Sequence, residues 1–332
     1  MIPVYSAWLA AHGKLWYDDK WYRVAWIAWP QALAALAVLW FWAMPSNVRE
    51  AHWAKPVDVA ARATQLLALR DAAKSSQPAM ETLERDALGG EMLAQFYFAT
   101  LFDPEFKLST MVQPDVVKAV EWYSKAANQG DETSQNNLAL IYSTGIYARV
   151  DYTRACYYAR KLGAASLANG LLVKGDCYAR GLGGTQVDLA QAATAYEAAY
   201  AKGNARAEAT LGYFYENGLG GRNRSNETAL KFYRDAADKG DALGLHNLGA
   251  AYNSGLLGLQ RDGTEAARLI LRALEAKYDV TVQSLTTHPE VWTPEFWQNL
   301  QRRLAEKGLY TGAIDGRANP ATLDAVRRLG RG

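Results

Sequence analysis

Histidines, cysteines and carboxylates are the residues with which this chain could do chemistry, and their spacing brings none of them together. The four histidines, His12, His52, His246 and His288, lie far apart, and none belongs to a His-x-x-x-His pair. The two cysteines are too few for a disulfide-dense fold or a cysteine-rich metal site. No acid, base or nucleophile has a partner that its spacing identifies. We therefore predict a non-enzymatic protein with no catalytic residues, no cofactor-binding residues and no metal ligands.

The stretch from Asp115 to Lys277 repeats itself, and this repeat organises the chain. Four series of residues recur there at intervals of 36 or 37. They are the tyrosines Tyr142, Tyr178, Tyr215 and Tyr252; the glycines Gly145, Gly181, Gly218 and Gly255; the alanines Ala119, Ala155, Ala192, Ala229 and Ala266; and the series Gly130, Ser166, Gly203, Gly240 and Lys277. A fixed period of this size predicts a solenoid, in which each unit buries its apolar face against its neighbours.

Within each unit the sequence predicts two helices with defined ends. In Asp241–Asn253, leucines, small residues and Tyr252 fall on one helical stripe, and Gly255 then suits a left-handed C-cap. An Asp or Ser four residues before each alanine of the series suits the N-cap of the second helix. These capping residues are Asp115, Asp151, Asp188, Ser225 and Asp262.

The recurring small–Leu–Gly–x–x–Tyr–x–x–Gly and Ala…Tyr…Ala–Ala…Gly runs resemble Sel1-like repeats, the bacterial relatives of tetratricopeptide repeats. The resemblance covers roughly residues 88–277, although Lys174 stands where its unit should have leucine. It implies an all-α fold, an α-solenoid of about five helix-pair repeats over residues 89–278. It also implies a scaffold that binds partner proteins through its concave face.

A charge-free segment near the N-terminus predicts one transmembrane helix. Val24–Met44 has 21 residues without a charge, which is enough to cross a hydrocarbon core of ~30 Å. Trp26 and Trp29 near one end, and Trp40 and Trp42 near the other, are typical of aromatic belts at the two membrane interfaces. The alternatives are a buried helix of a soluble core and a cleaved signal peptide, whose apolar region is normally only ~7–15 residues long.

The segments on either side of this helix have separate predicted roles. Residues 1–23 place aromatic and apolar side chains at helical spacing and are expected to lie in the membrane interface or to bind a partner. Residues 45–56 are predicted to be a linker, and residues 57–88 to form helices that cap the N-terminal end of the solenoid. Basic residues are equally frequent on both sides of the membrane segment, so the positive-inside rule does not decide its orientation.

Cys156 and Cys177 fall on consecutive units of the repeat. Cys156 lies in the first turn of a second helix, and Cys177 lies near the end of the next first helix. Stacked helices in such arrays run antiparallel, so these two ends lie on the same side. We predict an inter-repeat disulfide, which implies an oxidising compartment. The alternative is two buried thiols that pack as small apolar residues.

Beyond the array, the sequence predicts a loop over Asp279–Pro294 and then a small helical module over residues 294–330. The Gly-Leu-Tyr-Thr-Gly and Ile-Asp-Gly turns of this module lie between two helices and resemble the small three-helix type of peptidoglycan-binding-like domain. The resemblance implies cell-wall contact at Tyr310, Asp315 and Asn319. The alternative is a helical cap that closes the last face of the solenoid.

The leading functional prediction is a membrane-anchored scaffold of the bacterial inner membrane. The chain would cross the membrane once, with its N-terminus in the cytoplasm and its C-terminal part in the periplasm. Its partners would be membrane or envelope proteins, the lipid bilayer and, through the terminal module, peptidoglycan.

The alternative function is an accessory subunit of a larger inner-membrane complex for secretion, polysaccharide export or energy conversion, docked through the Trp-rich N-terminus. A wall-modifying enzyme is a third class, which the lack of a catalytic constellation disfavours. A net charge of +2 without basic clusters predicts no nucleic-acid partner.

Overall fold

The computed structural model describes residues 59–106, 111–145 and 149–331. The chain divides into two units, Met1–Thr64 and Gln65–Gly332. Only the last six residues of the first unit are described, so the fold below is that of the second unit.

The predicted N-terminal elements lie outside the described residues. These are the segment 1–23, the membrane helix Val24–Met44 with Trp26, Trp29, Trp40 and Trp42, and the linker 45–56. In the part of the chain that the structure describes, no helix combines the length and the apolar character that a membrane span requires. The membrane anchor therefore stays a prediction from the sequence.

The described residues form α-helices and no strands, as the periodicity predicts. The helices are α1 Val59–Ala73, α2 Gln77–Leu88, α3 Met92–Phe102, α4 Val116–Asn128, α5 Glu132–Thr144, α6 Tyr152–Ala159, α7 Ala168–Arg180, α8 Leu189–Ala201, α9 Ala205–Asn217, α10 Asn226–Asp238, α11 Ala242–Ser254, α12 Gly263–Glu275, α13 Asp279–Thr287, α14 Pro294–Glu306 and α15 Pro320–Arg331. Helices α3 to α12 pack as five successive pairs, which confirms the predicted all-helical solenoid of repeats. We call the earlier member of each pair the first helix and the later member the second helix.

Helices α1 and α2 lie in the segment 57–88 that the sequence assigns to the N-terminal cap. Leu66 of α1 and Leu83 of α2 are completely buried in one apolar core with Phe98 of α3. Because α2 packs directly against α3, it covers the face of α3 that α4 leaves open.

Capping residues of the repeat set the helix ends. The first helices α5, α7, α9 and α11 end at Gly145, Gly181, Gly218 and Gly255, whose φ angles are 67°, 65°, 66° and 67°. This left-handed conformation is costly for a residue with a Cβ atom, so glycine recurs there. Each second helix begins after a side chain that accepts hydrogen bonds from backbone N–H groups of the first turn. These N-caps are Asp115, Asp151, Asp188, Ser225 and Asp262.

Close packing within a pair depends on a small residue in the middle of the first helix. A Cβ atom on Gly175 would overlap the ring of Tyr196 in α8, and one on Gly212 would lie 2.7 Å from the ring of Tyr233 in α10. Both rings are almost completely buried. The glycines therefore let an aromatic ring of the second helix lie directly on the backbone of the first helix.

The pair formed by α5 and α6 departs from this regularity. Helix α6 has 8 residues, whereas the other second helices have 13. Lys174 replaces the leucine of the repeat, and its Nζ donates a hydrogen bond to the backbone oxygen of Leu162 at 2.6 Å, just beyond the short helix. Burial lowers the pKa of Lys174. A disulfide between Cys156 of α6 and Cys177 of α7 joins this pair to the next one.

The loop predicted for Asp279–Pro294 is wrong, because Asp279–Thr287 forms α13. Val282 and Leu285 are almost completely buried, and α13 packs against α15 and α12. Three apolar residues, Val280, Val282 and Leu285, among polar neighbours are too weak a pattern to predict a helix, and Val280 is exposed. Tertiary packing therefore decides the structure of this segment.

The three C-terminal helices share one apolar core with the last repeat. This core joins Ile270 and Leu274 of α12 to Val282 of α13, Phe296 of α14 and Val326 of α15. The C-terminal module is thus continuous with the array, as expected of a helical cap.

Candidate binding groove

Two adjoining clefts along the first helices form a groove. The larger cleft has a volume of about 390 Å³ and extends from Asp103, at the end of α3, across α5. The smaller cleft, of about 200 Å³, lies between α5 and α7 and includes Arg180. Leu140, Thr144 and Asn169 line both clefts, so the two are continuous. We call this surface the first-helix groove.

Each cleft contains a carboxylate that a buried tyrosine holds in place. Tyr123 Oη donates a hydrogen bond to Asp103 Oδ2 at 2.8 Å, and Tyr196 Oη donates to Asp176 Oδ1 at 2.7 Å. Burial, reinforced by the neighbouring carboxylate, raises the pKa of both tyrosines. Burial also raises the pKa of Asp176, while the Tyr196 hydrogen bond and the charge of Arg180 act in the opposite direction. The tyrosines therefore stay neutral and fix the two acids.

Amide side chains lie between the two acids. Asn136 Oδ1 accepts a hydrogen bond from the backbone nitrogen of Gly170 at 2.7 Å, and Asn136 Nδ2 donates to Asn137 Oδ1 at 3.2 Å. Asn137 Nδ2 is buried near the Tyr123 hydroxyl and has no hydrogen-bond partner within 3.5 Å among the described residues. Asn169 is exposed in the centre of the groove. The groove thus presents the exposed amide of Asn169 as a donor to the carbonyl oxygens of an extended chain.

The face of α11, the last first helix, is covered by α13 and by the residues that connect α13 to α14. His246 Nδ1 lies 3.1 Å from Thr281 Oγ1, and burial lowers the pKa of His246 to about 4. Asn253 Nδ2 donates to the backbone oxygen of Val291, while Asn253 Oδ1 accepts hydrogen bonds from the backbone nitrogen and hydroxyl of Thr293. His246 is therefore a packed structural group, and this end of the first-helix surface is closed.

The repeated tyrosines connect the two helices of each pair. Tyr142 is buried, and Tyr178, Tyr215 and Tyr252 are half-buried. The backbone oxygen of each tyrosine accepts a hydrogen bond from the backbone nitrogen of the next N-cap residue, at 2.9 to 3.0 Å. These contacts tie the end of a first helix to the start of its second helix.

The three residues predicted to touch the cell wall hold the turns of the C-terminal module. Tyr310 is buried and donates a hydrogen bond to the backbone oxygen of Ala313 at 2.7 Å, and Asn319 Nδ2 donates to Tyr310 Oη at 3.2 Å. Asp315 Oδ1 accepts a hydrogen bond from Nε2 of the fully buried Gln301 at 3.1 Å. Cell-wall contact at these residues stays a prediction.

The sequence reasoning missed the two groove acids. Asp103 follows α3 at the start of the long loop of the first unit, and Asp176 takes the position of Leu140 and Tyr213 in the neighbouring units. The signal that could have identified Asp176 is its departure from the repeat, because the flanking units have large, largely apolar side chains at this position. In the described ranges, no group of three or more His, Cys, Asp or Glu residues is arranged to hold a metal ion.

Comparison with known proteins identifies the repeat. The Sel1 repeat family model matches residues 107–131, 133–167, 175–204, 205–241 and 242–278. The chain is similar to the crystal structure of a Sel1 repeat protein from Oxalobacter formigenes, with 26% identity, a TM-score of 0.50, and coverage of 69% of this chain and 93% of that chain. It is also similar to a protective antigen of uropathogenic Escherichia coli strains that displays an SLR fold, with 22% identity, a TM-score of 0.44, and coverage of 76% of this chain and 63% of that chain. No curated protein matches the chain.

Proposed function

We propose that this chain, whose repeats match the Sel1 repeat family model in five segments between residues 107 and 278, is a membrane-anchored periplasmic scaffold that binds a segment of a partner protein in the first-helix groove. Arrays of this kind act through surfaces built by several units at once, because each unit contacts only its neighbours. The repeat solenoid itself suits protein–protein interaction.

The first-helix groove is the observation that carries the proposal. It combines the apolar side chains of Leu140 and Leu172 with the amides of Asn137 and Asn169 and two carboxylates. A segment of another chain needs such a mixture, because its side chains must be buried while its backbone groups find hydrogen-bond partners.

Two features favour the periplasm as the compartment. The Cys156–Cys177 disulfide is a bond that persists in oxidising environments and is rare in the cytosol. The uncharged segment Val24–Met44 is long enough to anchor the chain in the inner membrane. Cell-wall binding is not part of the proposal, because Tyr310, Asp315 and Asn319 are engaged within their own module.

Site-specific crosslinking tests the groove. A photoreactive benzoylphenylalanine in place of Thr144 lies in the groove, and one in place of Lys231 on α10 is the control, because Lys231 is exposed on a second helix. We expect a discrete envelope protein to be crosslinked from Thr144 and not from Lys231. The same adduct from both positions, or none from Thr144, would count against the groove.

Two further measurements test the anchor and the alternative function. Alkaline phosphatase fused after the last residue should be active, whereas an active β-galactosidase fusion would place the C-terminus in the cytoplasm and refute the periplasmic assignment. A crosslinker in place of Trp8 tests the accessory-subunit alternative, in which residues 1–23 bind the partner. Adducts from Trp8 alone would favour that alternative.

A further inference from the structure

We propose that the partner segment continues from the first-helix groove into a third cleft and places an aspartate or glutamate carboxylate there, against Arg149 and Arg154. This inference rests on the proposed function of the groove and specifies the chemistry of one end of its occupant. It is carried by the position of the third cleft and by the charged side chains that line it.

The third cleft lies at the start of α6 and adjoins the first-helix groove. It has a volume of about 700 Å³ and is lined by residues from the end of α5, the start of α6 and the loop after α7. Tyr152 lines both this cleft and the small cleft that contains Arg180, so the two adjoin at this side chain. A segment bound in the groove can therefore enter the third cleft by passing Tyr152.

Close packing fixes the walls of the third cleft. A Cβ atom on Gly183 would overlap the backbone oxygen of Tyr152, and the φ angle of Gly183 is 57°. Glycine therefore lets the loop after α7 lie directly against the start of α6. The ring of Tyr142, which lines the cleft from the end of α5, is buried and stacks on Tyr158 with the ring centroids 6.4 Å apart. The cleft is thus built from side chains and backbone that already hold each other in place.

Arginine side chains give the third cleft an excess of positive charge. The charged residues that line it are Arg149, Arg154 and Asp151, two cations against one carboxylate. Asp151 is already engaged as the N-cap of α6, because its Oδ1 accepts a hydrogen bond from the backbone nitrogen of Arg154 at 3.0 Å. Arg149 is exposed and forms no ion pair with a described residue. The positions beside Arg149 that the structure does not describe, 146–148, carry no acid.

The guanidinium of Arg154 is held in place and is still accessible. Its Nη1 donates a hydrogen bond to the Tyr142 hydroxyl at 3.2 Å, and its Nε lies 3.5 Å from Asp151 Oδ2. Neither contact uses Nη2, and 64% of the side chain is exposed. A planar guanidinium can donate two parallel hydrogen bonds to a carboxylate, and an arginine that is already held loses little further side-chain freedom when it does so.

The acids of the groove decide which part of the segment is acidic. Asp103 and Glu105 place two carboxylates in the part of the larger cleft next to α3, where a further carboxylate is disfavoured. Asp176 lies in the small cleft, and the charges of Arg180 and Arg206 both act on it. A segment with uncharged residues in the groove and an acidic residue in the third cleft therefore fits better than one that is acidic throughout.

The test is a binding titration with short peptides of serine and leucine whose termini are uncharged. Two peptides carry glutamate, one at the N-terminal end and the other at the C-terminal end, because a segment can lie in the groove in either direction. Their controls have glutamine in place of glutamate. Each peptide is titrated into the full chain in detergent micelles by isothermal titration calorimetry. We expect the better glutamate peptide to bind about tenfold more tightly than its glutamine control.

Matched variants assign the preference to the third cleft. R149Q and R154Q each remove one positive charge, and we expect each to weaken glutamate-peptide binding about threefold or more and to change glutamine-peptide binding less than about twofold. R234Q removes an exposed arginine from α10 and should change either binding less than about twofold. Thermal melts identify any variant that loses its fold, and R149Q provides a test that leaves the contact between Arg154 and Asp151 intact.

Crosslinking tests the path of the segment. Val150 lines the third cleft and is 42% exposed, so it can carry a photoreactive side chain. We expect benzoylphenylalanine in place of Val150 to crosslink the same envelope protein as benzoylphenylalanine in place of Thr144, because one segment would lie in both clefts.

The outcomes separate this inference from the proposed function. Equal binding of the glutamate and glutamine peptides, unchanged binding by R149Q and R154Q, or an adduct from Thr144 without one from Val150 would refute the acidic end while leaving the groove as a binding surface. Displacement of the glutamate peptide by an equal concentration of inorganic phosphate would also refute it, because the cleft would then be a general anion site. If no peptide binds, the acidic end is refuted as well, and crosslinking from Thr144 then decides whether the groove binds a partner at all.

Discussion

Replacement of Gly175 by alanine tests whether the helix pairs depend on the absence of a single Cβ atom. Two effects oppose each other at this position. Alanine in place of glycine inside a helix gains about 1 kcal/mol in helix propensity, whereas an extra methyl group forced into a packed core costs about 1–3 kcal/mol. The new Cβ would overlap Cε1 of Tyr196 and lie 2.5 Å from its Cδ1. The ring cannot swing away, because it is buried and its hydroxyl binds Asp176.

We therefore expect G175A to lower the free energy of unfolding by about 2 kcal/mol, since the cost should lie near the upper end of its range. The assay is urea unfolding of the full chain in detergent, followed by far-ultraviolet circular dichroism. G212A and G249A gain the same helix propensity, but their Cβ atoms would lie 2.7 Å from Tyr233 and 2.9 Å from Ile270. The expected order of stability is G249A, then G212A, then G175A.

A double variant identifies the ring as the cause. In G175A/Y196L the aromatic ring is gone, so the new Cβ has space. If the two single losses of stability simply added, they would give an expected free energy of unfolding for the double variant. The measured value should be higher than this expected value by about 1 kcal/mol or more. A G175A protein as stable as the unmodified chain, or strictly additive effects in the double variant, would show that the ring contact does not limit packing.

Three further predictions concern the inter-repeat link, the buried histidine and the C-terminal module. Reduction of Cys156–Cys177, which are 21 positions apart, should lower the unfolding free energy by about 3 kcal/mol in urea titrations; C156A/C177A should be insensitive to reductant, and an equal response in both proteins would refute this. Burial lowers the pKa of His246 to about 4 in the folded chain, against an ordinary value of 6.5. Its contribution to the free energy of unfolding is therefore fully present above pH 6.5 and falls by about 3 kcal/mol as the pH drops to 4. H246Q should flatten this part of the pH–stability curve, and an unchanged curve would contradict the assignment. N253A removes the hydrogen bonds to Val291 and Thr293, so amide hydrogen exchange should accelerate in residues 289–296 and stay unchanged in α5, whereas equal protection would argue against this anchoring role.

Local signals in the sequence predict the repeat fold well. Asp151 and Gly145 set the ends of their helices through contacts with residues a few positions away, so their roles can be read from residue type and spacing. The fixed period of the residue series also predicts that the units stack, because each unit in such an array contacts only its neighbours.

Features that depend on distant contacts could not be predicted in this way. Helix α13 forms because Val282 and Leu285 are buried against α12 and α15, and these two residues are only a weak signal in the sequence. The groove acids Asp103 and Asp176 belong to different units, and only the stacking of the helices places them in adjoining clefts. Lys174 donates a hydrogen bond to the backbone oxygen of Leu162, just beyond the short helix α6, and this contact cannot be read from the position of Lys174 in the repeat.

The bond between Cys156 and Cys177 makes the array mechanically uneven. Tension along the chain would peel units apart one by one, because only neighbouring units hold each other. Residues between the two cysteines are spanned by a covalent link and cannot straighten under such a load. Unravelling would begin in the units on either side, and the wall of the groove formed by α7 would be the last to lose its shape.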